Sequence, residues 1–449
     1  YMMENGKKVP FKFFFGASSC VPATTFETAG AVLGIEETEE LLKDPEILYL
    51  SEMMNFPGVL YQDPQVMQKL GLARKYGKPT DGHSPGLTGT DAAAYAGSGI
   101  TTDHECFTLE EALEKISYGM KILIREGSAA KNFEALSELF RIQPSMIMLC
   151  SDDKHPDDLV KGHINLLVKR ALKMGYDFFD VIRSCTVNPV EHYRLSSGLL
   201  QKGSDADFIV IDNPDDFTIL ETWVRGGKVA ENGRSLIPVI SERAINNFNT
   251  QPVTEKDLEL PAHGEKIRVI EATDGQLITG SSVMTARIEE GMAVSDPQRD
   301  ILKIVVKNRY MKSLVSVAFV KGFGLKEGAM AGSVAHDSHN IIAVGCDDHS
   351  ILLALNSIID EKGGIAVTKG TRVKILPLPV AGIMTARDGY ETARLYERIN
   401  QLAKDLGSPL NAPFMTLSFM ALLVIPDLKI SDKGLFDGKL FNFVEIFEK

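Results

Sequence analysis

Between residues 11 and 188 the chain alternates short apolar runs with amphipathic stretches, and this alternation restricts the possible folds more than any other feature. Runs at 11–16, 47–51, 78–82, 99–102, 121–124 and 146–150 are bounded by turn-forming residues and read as strands. Strands separated by helical patterns build βα units around a parallel sheet. The helix pattern after Phe107 is the most legible. Thr108 and Glu111 make a capping box, and Leu109, Ala112, Leu113 and Ile116 share one face. Six such strands are two short of a (β/α)8 barrel.

Beyond Ser197 the texture changes to short strands punctuated by glycine. We therefore expect a partial barrel over 1–195, a small β-sandwich segment over 196–239, a linker over 240–266 and an α+β domain over 267–449. In the last segment the pattern predicts strands at 302–306, 315–320, 341–344, 365–367, 372–376 and 416–425, with helices over 348–360 and 389–406.

Charge and cysteine usage narrow the class. With 48 Lys+Arg against 60 Asp+Glu the net charge is −12, and no dense basic patch offsets it. Such a surface repels polyanions, so neither nucleic acid nor an anionic membrane is an expected partner. The five cysteines lie far apart without a C-x-x-C pair, which points to a reduced, cytoplasmic protein. The longest apolar run, 414–425, lies between Pro413 and Pro426 and is shorter than the roughly 20 residues a bilayer requires. The chain has no P-loop, nucleophile elbow or dinucleotide fingerprint.

The polar residues of the first segment sit where the strands stop. Glu52, His83, Asp103-His104-Glu105, Arg125-Glu126-Gly127-Ser128 and Ser151-Asp152-Asp153 follow five successive runs. Singly, each has an ordinary structural role, such as an Asp at a helix N-cap. Together, at the C-terminal ends of barrel strands, they converge on one mouth. Two imidazoles and two carboxylates without a thiolate suit Mn2+, Fe2+ or Zn2+. A metal there would lower the pKa of a bound water, and an adjacent Asp could take its proton, which gives metal-assisted hydrolysis. His336 and His339, in the segment His336-Asp337-Ser338-His339, form a second cluster that reads equally as an accessory metal or gating site or as a hydrogen-bonded turn.

These residues resemble a known family. GASSCVPATT at 16–25, SEMMN at 51–55, GHSPGLTG at 82–89, TDHE at 102–105, IREGSAAKN at 124–132 and CSDD at 150–153 resemble the adenine deaminase family of the amidohydrolase superfamily. VKGFGL at 320–325 and AHDSHN at 335–340 resemble that family's C-terminal domain. The resemblance implies hydrolysis of adenine to hypoxanthine and ammonia with two divalent cations, Mn2+ or Fe2+. It implies that Glu52 bridges the metals, that His83 and His104 are imidazole ligands, and that Asp152 binds metal and handles the proton of the attacking hydroxide. Asp153, Glu105, Glu126 and Ser128 then line the purine pocket, with Glu105 and Glu126 both placed to protonate the purine ring. A homo-oligomer is the expected assembly.

One departure accompanies the match. Amidohydrolases open with a His-x-His pair on barrel strand 1, and nothing of that form precedes Phe11. With six strands counted, the expectation is an incomplete TIM barrel whose first two strands lie upstream of Tyr1. Two other readings stay open: an amidohydrolase acting on a cyclic amide, and an inactive paralogue serving as a binding or oligomer subunit.

Overall fold

Parallel strands carry the first part of the chain. In the computed structural model, which describes residues 1–240 and 243–448, β1 (Phe15–Ser18), β2 (Ile47–Met53) and β3 (Thr80–Gly82) pair in parallel in that order. So do β4 (Thr102–Asp103), β5 (Lys121–Arg125) and β6 (Ile147–Cys150). The two sheets are stitched where β3 meets β4. Thr101 N donates to Thr80 O (2.9 Å) and Gly82 N to Thr102 Oγ1 (3.3 Å). Only glycine allows this approach, because a Cβ at position 82 would stand 2.3 Å from Thr102 O.

The intervening helices start as their sequences dictate. Asp63 caps Pro64–Lys75 by accepting from Gln65 N and Val66 N, with proline in the first turn. Thr108 caps Leu109–Ser117 by accepting from Glu111 N (3.2 Å). The reciprocal half of that box is displaced by one residue, since Glu111 Oε2 accepts from Phe107 N (2.9 Å) while its other oxygen serves Gly86 N and Lys115. Ala112 and Ile116 turn inward onto Ile122, Ile124 and Ile147.

Strands β7 (Phe208–Ile211), β8 (Ile219–Val224), β9 (Gly227–Glu231) and β10 (Arg234–Ser235) form an antiparallel sheet. Lys12 ties the start of the chain to this region, its Nζ 2.6 Å from both Asp205 Oδ2 and Asp207 Oδ2. Residues 243–266, which the pattern reads as linker, run along the C-terminal part. Val253 and Leu258 are buried, and Val253 exchanges hydrogen bonds with the Asn356 side chain. Ser241 and Glu242, within that expected linker, and Lys449 lie outside the described residues.

The C-terminal part is built on β11 (Lys266–Glu271), β12 (Gly280–Thr285), the hairpin β13 (Arg287–Glu289) and β14 (Met292–Val294), β15 (Leu302–Lys307), β16 (Val315–Lys321), β17 (Ala329–Gly332), β18 (Ile341–Gly345), β19 (Gly364–Lys369) and β20 (Arg372–Pro377). Eight of these form one sheet in the order β12-β11-β16-β15-β18-β17-β19-β20. Its side chains alternate between two cores. Val305, Ile341 and Ala343 face Ile351, Leu355 and Ile358 of the helix Asp348–Asp360. Ile304, Ile342 and Val344 join a cluster that holds Tyr396 and Ile399 of the helix Gly389–Asp405 and also Leu50 and Met53 of β2. The two halves of the chain thus share one hydrophobic core. A further antiparallel sheet, β21 (Leu428–Ser431), β22 (Gly434–Asp437) and β23 (Asn442–Phe443), closes the chain.

Two predicted strands are corrected. The run at 11–16 enters the sheet only at Phe15, with Phe11 and Phe13 exposed. The expected strand at 416–425 is instead a helix, Pro413–Phe419, followed by turns. Proline suits a first helical turn, and an apolar run buried on all sides shows no period that separates helix from strand.

Candidate active site

The parallel strands β2 to β6 each deliver polar groups to the same end of the array. Glu52 lies next to the last residue of β2, and His83 follows β3. His104 and Glu105 follow β4, Arg125 ends β5, and Asp152 comes two residues after β6. Tyr95 couples two of these ends by donating to Met53 O (2.7 Å) and accepting from His83 N (2.9 Å). Asp152 adopts a left-handed backbone (φ 52°), a conformation that Asp tolerates better than most residues.

Glu52, His83 and His104 converge. Glu52 Oε2 is 2.9 Å from His104 Nε2 and 3.5 Å from His83 Nδ1. Glu105 Oε1 stands 3.4 Å from His104 Nε2 and 3.5 Å from His83 Nδ1. Neither ring nitrogen of the buried His83 makes a hydrogen bond. Buried polar atoms are ordinarily satisfied, so an imidazole without hydrogen bonds whose Nδ1 faces two carboxylates marks a place for a cation. The electrostatics agree. Burial alone would lower the His104 pKa, but Glu52 and then Glu105 raise it to about 10. Burial works against Glu52 as well, yet the two imidazoles hold its carboxyl well below the usual range. The carboxylates thus favour positive charge at this point of the site.

Donor atoms of Glu52, His83 and His104 lie within 4.8 Å of one another, as do those of His104, Glu105 and Asp152. Arg125 already spans the second group. Its Nη1 donates to both Glu105 Oε1 and Asp152 Oδ2, and Nη2 lies 2.6 Å from Glu105 Oε2. A third group, Asp103, Cys106 and Glu111, is filled by the Lys115 ammonium, which binds both carboxylates and Ser84 O (2.7 Å). Asp103 in turn accepts from Ser84 Oγ (3.0 Å) and Glu105 N (3.0 Å), bracing the residues beside His83 and His104.

The donors face a cavity of about 90 Å3 roofed from the C-terminal part by Leu277, His336, Met415, Phe419 and Leu422. An adjoining cleft of about 670 Å3 shares Glu52 and Met54 with it and reaches His339 and Arg309. The other candidates divide between the cavity wall and positions outside it. Asp153 pairs with His336 Nε2 (2.9 Å) at the cavity wall. Glu126 turns away to Arg170 (3.3 Å) and Lys131. Ser128 braces its loop, donating to Asp158 (2.8 Å) and accepting from His155 N (2.9 Å). The His336 and His339 rings are 6.4 Å apart and form no donor group with each other among the described residues.

Sequence reading gives Arg125 no role, although it ends a strand beside the other candidates. It also passes over Lys115, whose signal is a charge on the core-facing side of its helix, one turn beyond Glu111.

The Amidohydrolase family matches residues 1–230, and the Adenine deaminase C-terminal domain matches residues 276–442. A curated adenine deaminase of Salinibacter ruber is 52% identical over 450 residues, covering 100% of this chain and 82% of that protein. One from Methanosarcina barkeri is 51% identical (100% and 83% covered), and one from Borreliella burgdorferi is 46% identical (99% and 83% covered). The fold class is thus that of an amidohydrolase, a metal-dependent hydrolase on a TIM-barrel-type array. Within that class, the chain belongs to the adenine deaminase family.

Proposed function

We propose that this protein hydrolyses adenine to hypoxanthine and ammonia, with Glu52, His83 and His104 as ligands of a divalent cation. The observation that carries the reading is the buried His83 imidazole, bare at both nitrogens and directed at Glu52 and Glu105. Identity near 50% to adenine deaminases over the whole chain supports the substrate. A divalent cation bound here supplies Lewis-acid activation of the water that displaces the amino group.

The remaining steps fall to side chains. Asp152 is the base that accepts the water's proton, positioned by Arg125. Glu105, held by the same guanidinium, faces both imidazoles and orients the ring edge of the base. The apolar roof of Leu277, Met415, Phe419 and Leu422 covers the ring and limits water. We read the cation as Mn2+ or Fe2+, and full loading as two ions. The match to the Amidohydrolase family supports a divalent ion at this site. We read the six parallel strands as part of an eight-stranded barrel.

The test is adenine turnover, followed by ammonia release and metal analysis, in protein loaded with Mn2+ or Fe2+. His104→Ala and Asp152→Asn should each abolish turnover, with His104→Ala also losing metal. Unchanged turnover in either variant would refute the assignment.

A further inference from the structure

A cavity of about 90 Å3 is small for a ligand site, since small-molecule pockets span roughly 300–1,000 Å3. Directly behind His336 lies a second chamber of about 370 Å3, walled by the loop 153–156 and by the C-terminal part. The two volumes share Asp153, His336 and Met415. The polar half of this partition is the 2.9 Å contact between His336 Nε2 and Asp153 Oδ2. Its partners come from opposite halves of the chain, Asp153 from the loop after β6 and His336 from the loop between β17 and β18. His336 is backed by the Phe419 ring at 5.2 Å.

The chamber's chemistry differs from that of the reaction cavity. Ile342, Ile365, Leu376, Leu378, Phe414 and Leu417 line it, each less than a tenth exposed. Away from the Asp153–His336 partition, its lining includes the pair His155 Nε2 and Tyr396 OH (3.1 Å) and the hydroxyls of Thr385, Thr392 and Ser418. Burial keeps that imidazole neutral, with its pKa lowered to about 4. Lys154, at the rim, is turned to Glu126 O (3.3 Å). The charged groups on its wall are at its edges, Lys154 at the rim and His336 already paired with Asp153, so a phosphate, carboxylate or ammonium deep among the apolar side chains would lose its water for little counter-charge. A flat ring with apolar faces and few edge hydrogen bonds loses little.

We propose that this chamber binds an uncharged heteroaromatic base, and that the Asp153–His336 pair is the door between it and the reaction cavity. The inference rests on the purine reading of the site. The chamber holds the base lacking ribose and phosphate, and opening the door gives it access to Glu52, His83 and His104.

The experiment uses the metal-loaded protein and unsubstituted purine, which has no amino group to lose. Calorimetric titration should show purine binding, with hypoxanthine competing and adenosine monophosphate failing to compete. Ile365→Phe and Leu378→Phe, which fill the chamber away from the metal donors, should each weaken purine binding and raise the KM for adenine at least tenfold. Metal content should stay unchanged and kcat within about threefold. Photolabelling of the unsubstituted protein with 8-azidoadenine reads the same point without a mutation. Label in the peptides carrying Tyr396, Phe414 or Leu417, suppressed by hypoxanthine, is expected. Folded filled variants that bind purine like the parent, or label confined to residues 83–153, would overturn the chamber. Absence of adenine turnover by the parent protein would instead strike the purine reading, since titration and labelling proceed without turnover.

Discussion

Arg125 Nη1 donates simultaneously to Glu105 and Asp152, so a single nitrogen sets the relation between the two carboxylates at the barrel mouth. Lysine keeps the charge but not the fork. Arg125→Lys should therefore leave the melting temperature near the parent's while lowering kcat about 100-fold, the scale of a misplacement near 1 Å. Steady-state kinetics beside thermal unfolding separates the two effects. Arg125→Met should also unfold more readily, because Glu105 is fully buried and would lose its counter-charge.

Lys115 and Asp103 make a fully buried pair beneath the two imidazoles. Removing one member strands the other's charge. Lys115→Met should cost about 3–5 kcal/mol of unfolding free energy. Combining it with Asp103→Asn should recover part of that loss. Urea denaturation of the two single variants and the double variant gives the coupling, and simple additivity would contradict a direct interaction.

Glu27 predicts a pH dependence of stability. It is 3% exposed, one oxygen accepts from Thr24 N (3.0 Å), and the other has no partner. Burial, reinforced by Asp337 and Asp432, raises its pKa from 4.5 to about 8. The folded protein thus keeps a proton that the unfolded chain releases above pH 4.5, so this contribution is complete at low pH and is lost as pH rises toward about 8. The slope within that window approaches about 1.4 kcal/mol per pH unit. Glu27→Gln should flatten that slope in melting curves recorded across the window, and an unchanged slope would refute the account.

Gly82 controls the site through the backbone. Because a Cβ there would stand 2.3 Å from Thr102 O, Gly82→Ala must part β3 from β4 and carry His83 with it. Metal affinity should fall about 10- to 100-fold, the effect typical of disturbing a ligand's support. Titration with Co2+, followed by its visible absorption, measures this without turnover.

The legible and illegible parts of the chain differ for physical reasons. β2, β5 and β6 read directly as apolar runs, because parallel strands carry few polar residues until they end, whereas β3, Thr80-Asp81-Gly82, is legible only from its place in the alternation. At those ends Glu52, His83, His104, Glu105 and Asp152 stand out, and the structure gathers them within one cavity. Glu126 also follows a strand, but the chain turns at Gly127 and sends it to Arg170. Leu277, Met415 and Phe419 carry no distinguishing signal, since an apolar side chain roofing a cavity looks the same in sequence as one filling a core. Lys115 hides for the opposite reason: a lysine on a helix ordinarily reads as surface.

The roof over the donors has an evolutionary consequence. Glu52, His83, His104 and Asp152 come from one half of the chain, whereas Leu277, His336, Met415 and Phe419 come from the other. The donor set and the roof are therefore encoded in separate stretches of the gene. Substrate preference can drift through changes in the later stretch while the donor set is inherited intact, and a hybrid joining the two halves from distant relatives would have to match them across the shared core around Leu50, Met53, Ile342 and Tyr396.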